Sequence, residues 1–216
     1  MSKAMKVGVI DYGVGNLGSV LRALEELSVV PILINRAVDM HETDSLILPG
    51  VGNFADCARL LDDGGWSSAL RDEVLGYQRP LLGVCVGMQL LADSSTEGVA
   101  AGGNSPGLGF IPGQVLHLRS FGCTKRVPHV GWNGITRTRT DDHLLDGIPN
   151  GTDFYFVHSF AFAPQDSADV LATTDYDVPI TAAVRRGNVW GTQFHPEKSS
   201  RAGFRLLKNF IEGPAC

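Results

Sequence analysis

The chain has 216 residues, enough for one large domain (1–216) with a substantial apolar core. Its 18 Lys+Arg against 23 Asp+Glu leave a net charge of −5 and no basic footprint for nucleic acid, so a small molecule or another protein is the expected partner. The apolar run that follows Lys6 ends at Asp11, too short for a secretion signal or a membrane span, and the cysteines at 57, 85, 123 and 216 show no metal-ligand spacing. A cytoplasmic, reducing location without disulfides is expected, with no metal or cofactor; a reactive thiol is the one specialised use left to consider.

Residues 6–11 read as a buried strand, and the turn 12–16 leads into a helix with Val20, Leu21, Leu24 and Leu27 on one side. Glycines 13, 15 and 18 match a dinucleotide fingerprint by letters only, because no acidic residue closes a second strand about 20 residues on. Short strands follow at 31–35 and 45–49, the latter running into Pro49-Gly50-Val51-Gly52 and a helix over 53–62 that Gly64-Gly65 ends. Another helix passes through Leu70 and Val74 to Tyr77. Residues 81–84 form an apolar strand that stops at Cys85, where a helical pattern begins at once through Met88, Leu90 and Leu91. Alternating strands and helices to this point predict a parallel sheet covered on both faces, with ligands at the carboxyl ends of its strands.

The glycine-rich stretch 98–109 reads as a loop. Closely spaced strands at 114–118, 151–160, 170–174, 181–184 and 189–194 predict antiparallel additions in the second half. A last helix carries Phe204, Leu207, Phe210 and Ile211 against the sheet. The expected fold is three-layer α/β: a mostly parallel central sheet, helices on both faces and antiparallel additions.

Two motifs carry chemistry. Gly83-Val84-Cys85-Val86-Gly87 has the spacing of a nucleophile elbow, in which glycines let backbone close around a strained residue and the following helix start favours a thiolate. A buried structural cysteine is the bland alternative. Phe194-His195-Pro196-Glu197 follows the last strand; Pro196 biases His195 toward extended backbone, so His195 and Glu197 share a side, as a base and its orienter require. His41, His117 and His143 read as ordinary turn histidines.

An elbow cysteine with His-Pro-Glu after a late strand resembles the triad-type, class I glutamine amidotransferases. The segments 11–17, 48–52, 83–91, 128–133, 155–159 and 191–199 together resemble, within them, the glutaminase subunits of imidazole glycerol phosphate synthases, and they span nearly the whole chain. Val86, Val130 and Phe160 are small departures, where leucine, methionine and tyrosine are usual. The resemblance implies catalysis by Cys85, His195 and Glu197, with the backbone N–H groups of Val51 and Val86 as oxyanion donors. It further implies glutamine contacts at Gly50, Gly52, Gln89, Glu97 and Ser159. Asn16, Trp132, Asn133 and Lys198 become positions facing a partner, a (β/α)8-barrel cyclase subunit that takes up the ammonia. A hydrolase or peptidase on the same sheet would share the elbow without needing 128–133 or 155–159. A paralogue serving amidino-sugar synthesis would share every segment. Because Gly50 and Gly52 tolerate unusual backbone angles, the peptide bearing the Val51 N–H is expected to rotate, switching one oxyanion donor off and on.

Overall fold

The computed structural model describes residues 5–213, so the sequence readings that touch residues 1–4 and Cys216 lie outside the described residues. Apolar runs too dense to have a wet face make the central strands: β1 (Lys6–Ile10), β3 (Ser45–Gly50) and β4 (Leu81–Cys85), the last two buried throughout. Helix α1 (Leu17–Glu26) buries Val20, Ala23 and Leu24 on its way from β1 to the edge strand β2 (Val30–Ile34). Helices α2 (Phe54–Asp63) and α3 (Trp66–Arg71) carry β3 to β4. Asn53 starts α2 by accepting from the N–H groups of Ala55 and Asp56, and Gly65, at φ 70°, turns the chain into α3. The steps β1 to β2 and β3 to β4 run in opposite directions across the sheet. Right-handed crossovers therefore place α1 on one face and α2 with α3 on the other.

Beyond β4 comes helix α4 (Val86–Gln89), then the two-residue strands β5 (Ser94–Ser95) and β6 (Ser105–Pro106) and the longer β7 (Gly113–His117) and β8 (His129–Arg137). They are followed by β9 (Asp153–His158), β10 (Phe160–Pro164), β11 (Val170–Tyr176), β12 (Val178–Arg186), β13 (Val189–Thr192) and α5 (Ser200–Glu212). The main sheet has nine strands in the order β2-β1-β3-β4-β13-β12-β11-β8-β9, parallel from β2 to β13 and antiparallel from there outward. A second sheet, β10-β7-β5-β6, stands beside it. The antiparallel additions expected from sequence thus extend the main sheet, and the separate small sheet is mixed, with β10–β7 and β5–β6 antiparallel and β5–β7 parallel.

Four local differences from the sequence reading have physical causes. The helix after Cys85 is a single turn, because the N–H groups of Leu108, Gly109, Phe110 and Ile111 take up the carbonyls of Leu90, Leu91 and Ala92 that a longer helix would use. Strand β8 was not foreseen: Gly131 and Gly134 interrupt its apolar alternation. The run 151–160 is broken at Ser159, where the chain leaves β8 to pair with β7 and Ser159 O accepts from Leu118 N–H. In α5 Leu206 joins the expected Leu207, Phe210 and Ile211 in the buried face, with Phe204 only half-buried. The main core is otherwise continuous across the parallel sheet and its helices.

Candidate active site

Cys85 sits at φ 56° and ψ −112°, in a region that residues with a side chain avoid. Holding it there costs on the order of 1–3 kcal/mol and persists only because the surroundings over-determine it. A Cβ on Gly50 would stand 2.6 Å from Gly87 N, and one on Gly87 would collide with Leu48 O, so β3 and the turn pack backbone against backbone. The elbow expected from sequence is present. Since α4 is one turn long, of the positive potential and free N–H groups expected at its start it offers chiefly the latter.

Strand β13 lies parallel to β4 with Thr192 opposite Val84, so His195, three residues beyond β13, arrives beside Cys85. Its Nδ1 is 2.9 Å from Glu197 Oε1, which also accepts from Asn16 Nδ2 at 3.0 Å. The His195 and Glu197 side chains are 2 % and 1 % exposed, a burial that only pairing makes tolerable. Burial pushes the His195 pKa down, but Cys85 and Glu197 outweigh it and bring it up to about 9. Burial likewise raises Glu197, and the bonds from His195 and Asn16 overcome it to hold the carboxylate low. The other imidazole nitrogen, Nε2, is buried without a hydrogen bond. Asn16, expected at a partner surface, is half-buried and steadies the Glu197 carboxylate.

The remaining wall is the Pro49-Gly50-Val51-Gly52 loop. The N–H of Leu46 points to Pro80 O, on the β4 side; by the two-residue period of a strand, the N–H and C=O of Gly50 face that side too, and Gly50 pairs with Cys85. The Gly50 carbonyl is therefore turned to the elbow. Among the described residues only Val127-Pro128 is cis, so the trans Gly50-Val51 peptide sends the Val51 N–H the opposite way. Of the two expected oxyanion donors, Val86 N–H stands at the elbow and Val51 N–H faces away from it in this conformation. Gly52 uses its freedom at φ 97°, whereas Gly50 is a glycine for close approach.

These elements enclose a cleft of about 180 Å³, room for one small metabolite. Val51, Gly52, Cys85, Val86, Gln89, Glu97, Ser159 and His195 all line it, so most of the expected site residues meet there. Gln89 commits its amide nitrogen to Phe160 O at 2.9 Å and Gln193 Oε1 at 3.0 Å. Gln193, to which sequence reasoning gave no role, places its own Nε2 3.9 Å from Cys85 Sγ; its signal is the same-side spacing with His195 two residues on. Glu97 Oε2 accepts the Phe54 N–H at 2.9 Å at the start of α2, and burial raises its pKa against that bond.

The pair His129–His158 was also missed. His158 Nδ1 donates to Phe160 O at 2.8 Å, so its Nε2 accepts from His129 Nδ1 at 3.0 Å, and both rings are neutral. Burial lowers His158 to about 3 and His129 to about 4. Asn133 points inward as well, its Nδ2 2.8 Å from Asp175 O and 3.4 Å from His129 Nε2, whereas Trp132 lies on the outer face of the hairpin, 53 % exposed. Lys198 Nζ sits 6.0 Å from the Tyr155 ring on that outer side. Among the described residues no cluster of three or more His, Cys, Asp or Glu is placed to hold a metal ion, and no helix is long and apolar enough to cross a membrane.

The fold and this constellation define a class: the model of class-I glutamine amidotransferases matches residues 8–213, and the chain belongs to that family. A solved structure titled as a glutamine amidotransferase superposes with a TM-score of 0.73 at 23 % identity, covering 95 % of this chain and 97 % of that one, which speaks to fold alone. Within the class, the chain is 45 % identical over 214 residues to the imidazole glycerol phosphate synthase subunit HisH of Rhodospirillum rubrum, covering 96 % of this chain and 98 % of that one. It is 44 % identical to the protein of the same name from Moorella thermoacetica, covering 95 % and 94 %.

Proposed function

We propose that the chain hydrolyses L-glutamine to glutamate and ammonia as the glutaminase subunit of imidazole glycerol phosphate synthase. The ammonia passes to a (β/α)8-barrel cyclase subunit that forms imidazole glycerol phosphate and an aminoimidazole carboxamide ribonucleotide in histidine biosynthesis. The observation that carries this reading is Cys85 held at positive φ beside a buried imidazole whose Nδ1 is fixed by Glu197 and whose Nε2 is left unpaired. The likeness to named relatives over nearly their whole length supports the pathway.

In this mechanism the proton shared by Cys85 and His195 rests on His195 Nε2, in keeping with the imidazole pKa of about 9, and Cys85 sulfur bonds to the side-chain amide carbon of glutamine. The C–O electrons become an oxyanion, met by the N–H of Val86 and, once rotated, of Val51. As the intermediate collapses, His195 gives its proton to the amide nitrogen, the C–N bond breaks and ammonia departs, leaving a γ-glutamyl thioester. Water, deprotonated by the same imidazole, then releases glutamate. Glu97 holds the substrate's α-ammonium, while Gln89, Ser159 and the glycines of the loop shape the cleft around it.

The test is a complex reconstituted with the barrel subunit and a Cys85→Ala glutaminase. Glutamine-dependent synthesis should vanish while synthesis from ammonium salts persists. Loss of both in an intact complex would contradict the division of labour.

A further inference from the structure

The hydroxyl of Tyr12 takes no part in the reaction so far described. Tyr12 is 5 % exposed, its oxygen is buried with only the Cys57 sulfur, a weak acceptor, as a polar neighbour and no hydrogen bond of good geometry, and that oxygen lies 3.0 Å from where a Cβ on Gly50 would stand. A buried tyrosine hydroxyl ordinarily finds a partner. Burial first, with Cys57 and Cys85 adding to it, raises its pKa, so the group remains a protonated donor.

Two neighbours confine movement of the loop to one peptide. Pro49 fixes its own φ on one side. On the other, the Cys57 thiol donates to Val51 O at 3.5 Å and anchors the next peptide. Between these anchors the Gly50-Val51 peptide has its carbonyl toward the elbow and its N–H away from it. Rotating that peptide to present the N–H to the cleft must swing the Gly50 carbonyl off the elbow and into the protein, where a carbonyl needs a donor.

We propose that Tyr12 is a positioning residue whose hydroxyl captures the Gly50 carbonyl in the rotated loop and so holds the Val51 N–H toward the oxyanion. This rests on the glutaminase reading above. The conformation seen here leaves the hydroxyl with the Cys57 sulfur alone, and rotation gives it a carbonyl oxygen, a stronger acceptor, so the latch favours the active loop once the partner has prompted the turn.

The test uses Tyr12→Phe in the complete complex with the barrel subunit, measuring glutamine hydrolysis and, on the same sample, the rate at which iodoacetamide alkylates Cys85. Removing one hydrogen bond to a neutral acceptor should lower partner-stimulated kcat by about tenfold. KM for glutamine and the alkylation rate should stay at wild-type values, because the thiol and His195 are untouched. Wild-type kcat in the variant would overturn the latch. So would an alkylation rate that falls in step with kcat, or a variant that unfolds, since either marks a structural role. If the wild-type complex itself hydrolyses no glutamine, the glutaminase reading fails, and the latch with it.

Discussion

On the proposed mechanism, Val51 is the residue on which quiet and active states divide. It sits at negative φ, and turning its N–H to the cleft drives φ toward the left-handed region, which a β-branched side chain resists by roughly 1–2 kcal/mol. Val51→Gly removes that resistance and should raise the basal hydrolysis of the isolated subunit by about tenfold, read by glutamate release without the partner. Val51→Pro has no N–H to offer and should cut partner-stimulated kcat by about 100- to 1,000-fold with the protein still folded, the size of one lost oxyanion donor. Unchanged rates in both variants would remove the loop from the mechanism. The candidate nucleophile and base were legible in sequence because each carries its local signature: glycines two either side of Cys85, and Pro-Glu after His195. Tyr12, Asn16 and Gln193 were not, because each acts on a residue far away in the chain or through a side chain whose direction only packing settles.

The hairpin β8–β9 shows how an element is loaded on two faces. Phe154, Phe156 and His158 point inward with His129, which stacks on Phe156 and on Tyr176 at ring distances of 4.9 Å and 3.9 Å. Both histidines are held neutral, at about 4 and about 3, below the ordinary value of 6.5. The unfolded chain therefore takes up protons before the folded one does. Stability is fully present above pH 6.5 and falls with acid down to the folded values, with a slope of about 1.4 kcal/mol per pH unit for each group. Urea unfolding from pH 7 to pH 4.5 should show this loss, and His129→Phe, which keeps the stacking, should reduce the slope by one proton. An unchanged slope would mean that the pair is protonated in the native state. Because the strand carrying His158 then crosses at Ser159 to the second sheet, the same hairpin supplies the cleft wall opposite the elbow.

At the scale of the molecule, the meeting of Cys85, His195 and Glu197 is a product of strand order. Cys85, the loop after β3 and His195 come from three adjacent parallel strands, β4, β3 and β13, that end on one edge, although more than 100 residues separate the nucleophile from its base. The mouth of the cleft opens beside an uncovered apolar surface, with Val130 55 %, Trp132 53 % and Val157 36 % exposed on paired strands. An exposed tryptophan framed by valines is the kind of anchor that dominates a protein interface. Trp132→Ala should weaken the partner's half-saturation point by about tenfold or more, with kcat at saturating partner unchanged. Equal half-saturation in a titration of stimulated hydrolysis would place the partner elsewhere.

Local chemistry made much of this protein readable from its amino acids: the parallel βα core, the elbow, the histidine with its carboxylate, and the glycine loop all depend on short-range patterns of apolar residues, glycine and proline. Packing across the sheet decided the rest. Strand β8 is built from a segment whose glycines hide its period, and α4 stops after one turn because a distant loop claims its carbonyls. Asn16 turns to the buried Glu197 carboxylate and Asn133 to the Asp175 carbonyl, and the Val51 N–H faces away from the cleft because the ladder with β4 reaches as far as Gly50. Such outcomes depend on contacts between residues remote in the chain, whose geometry does not exist until the sheet has formed.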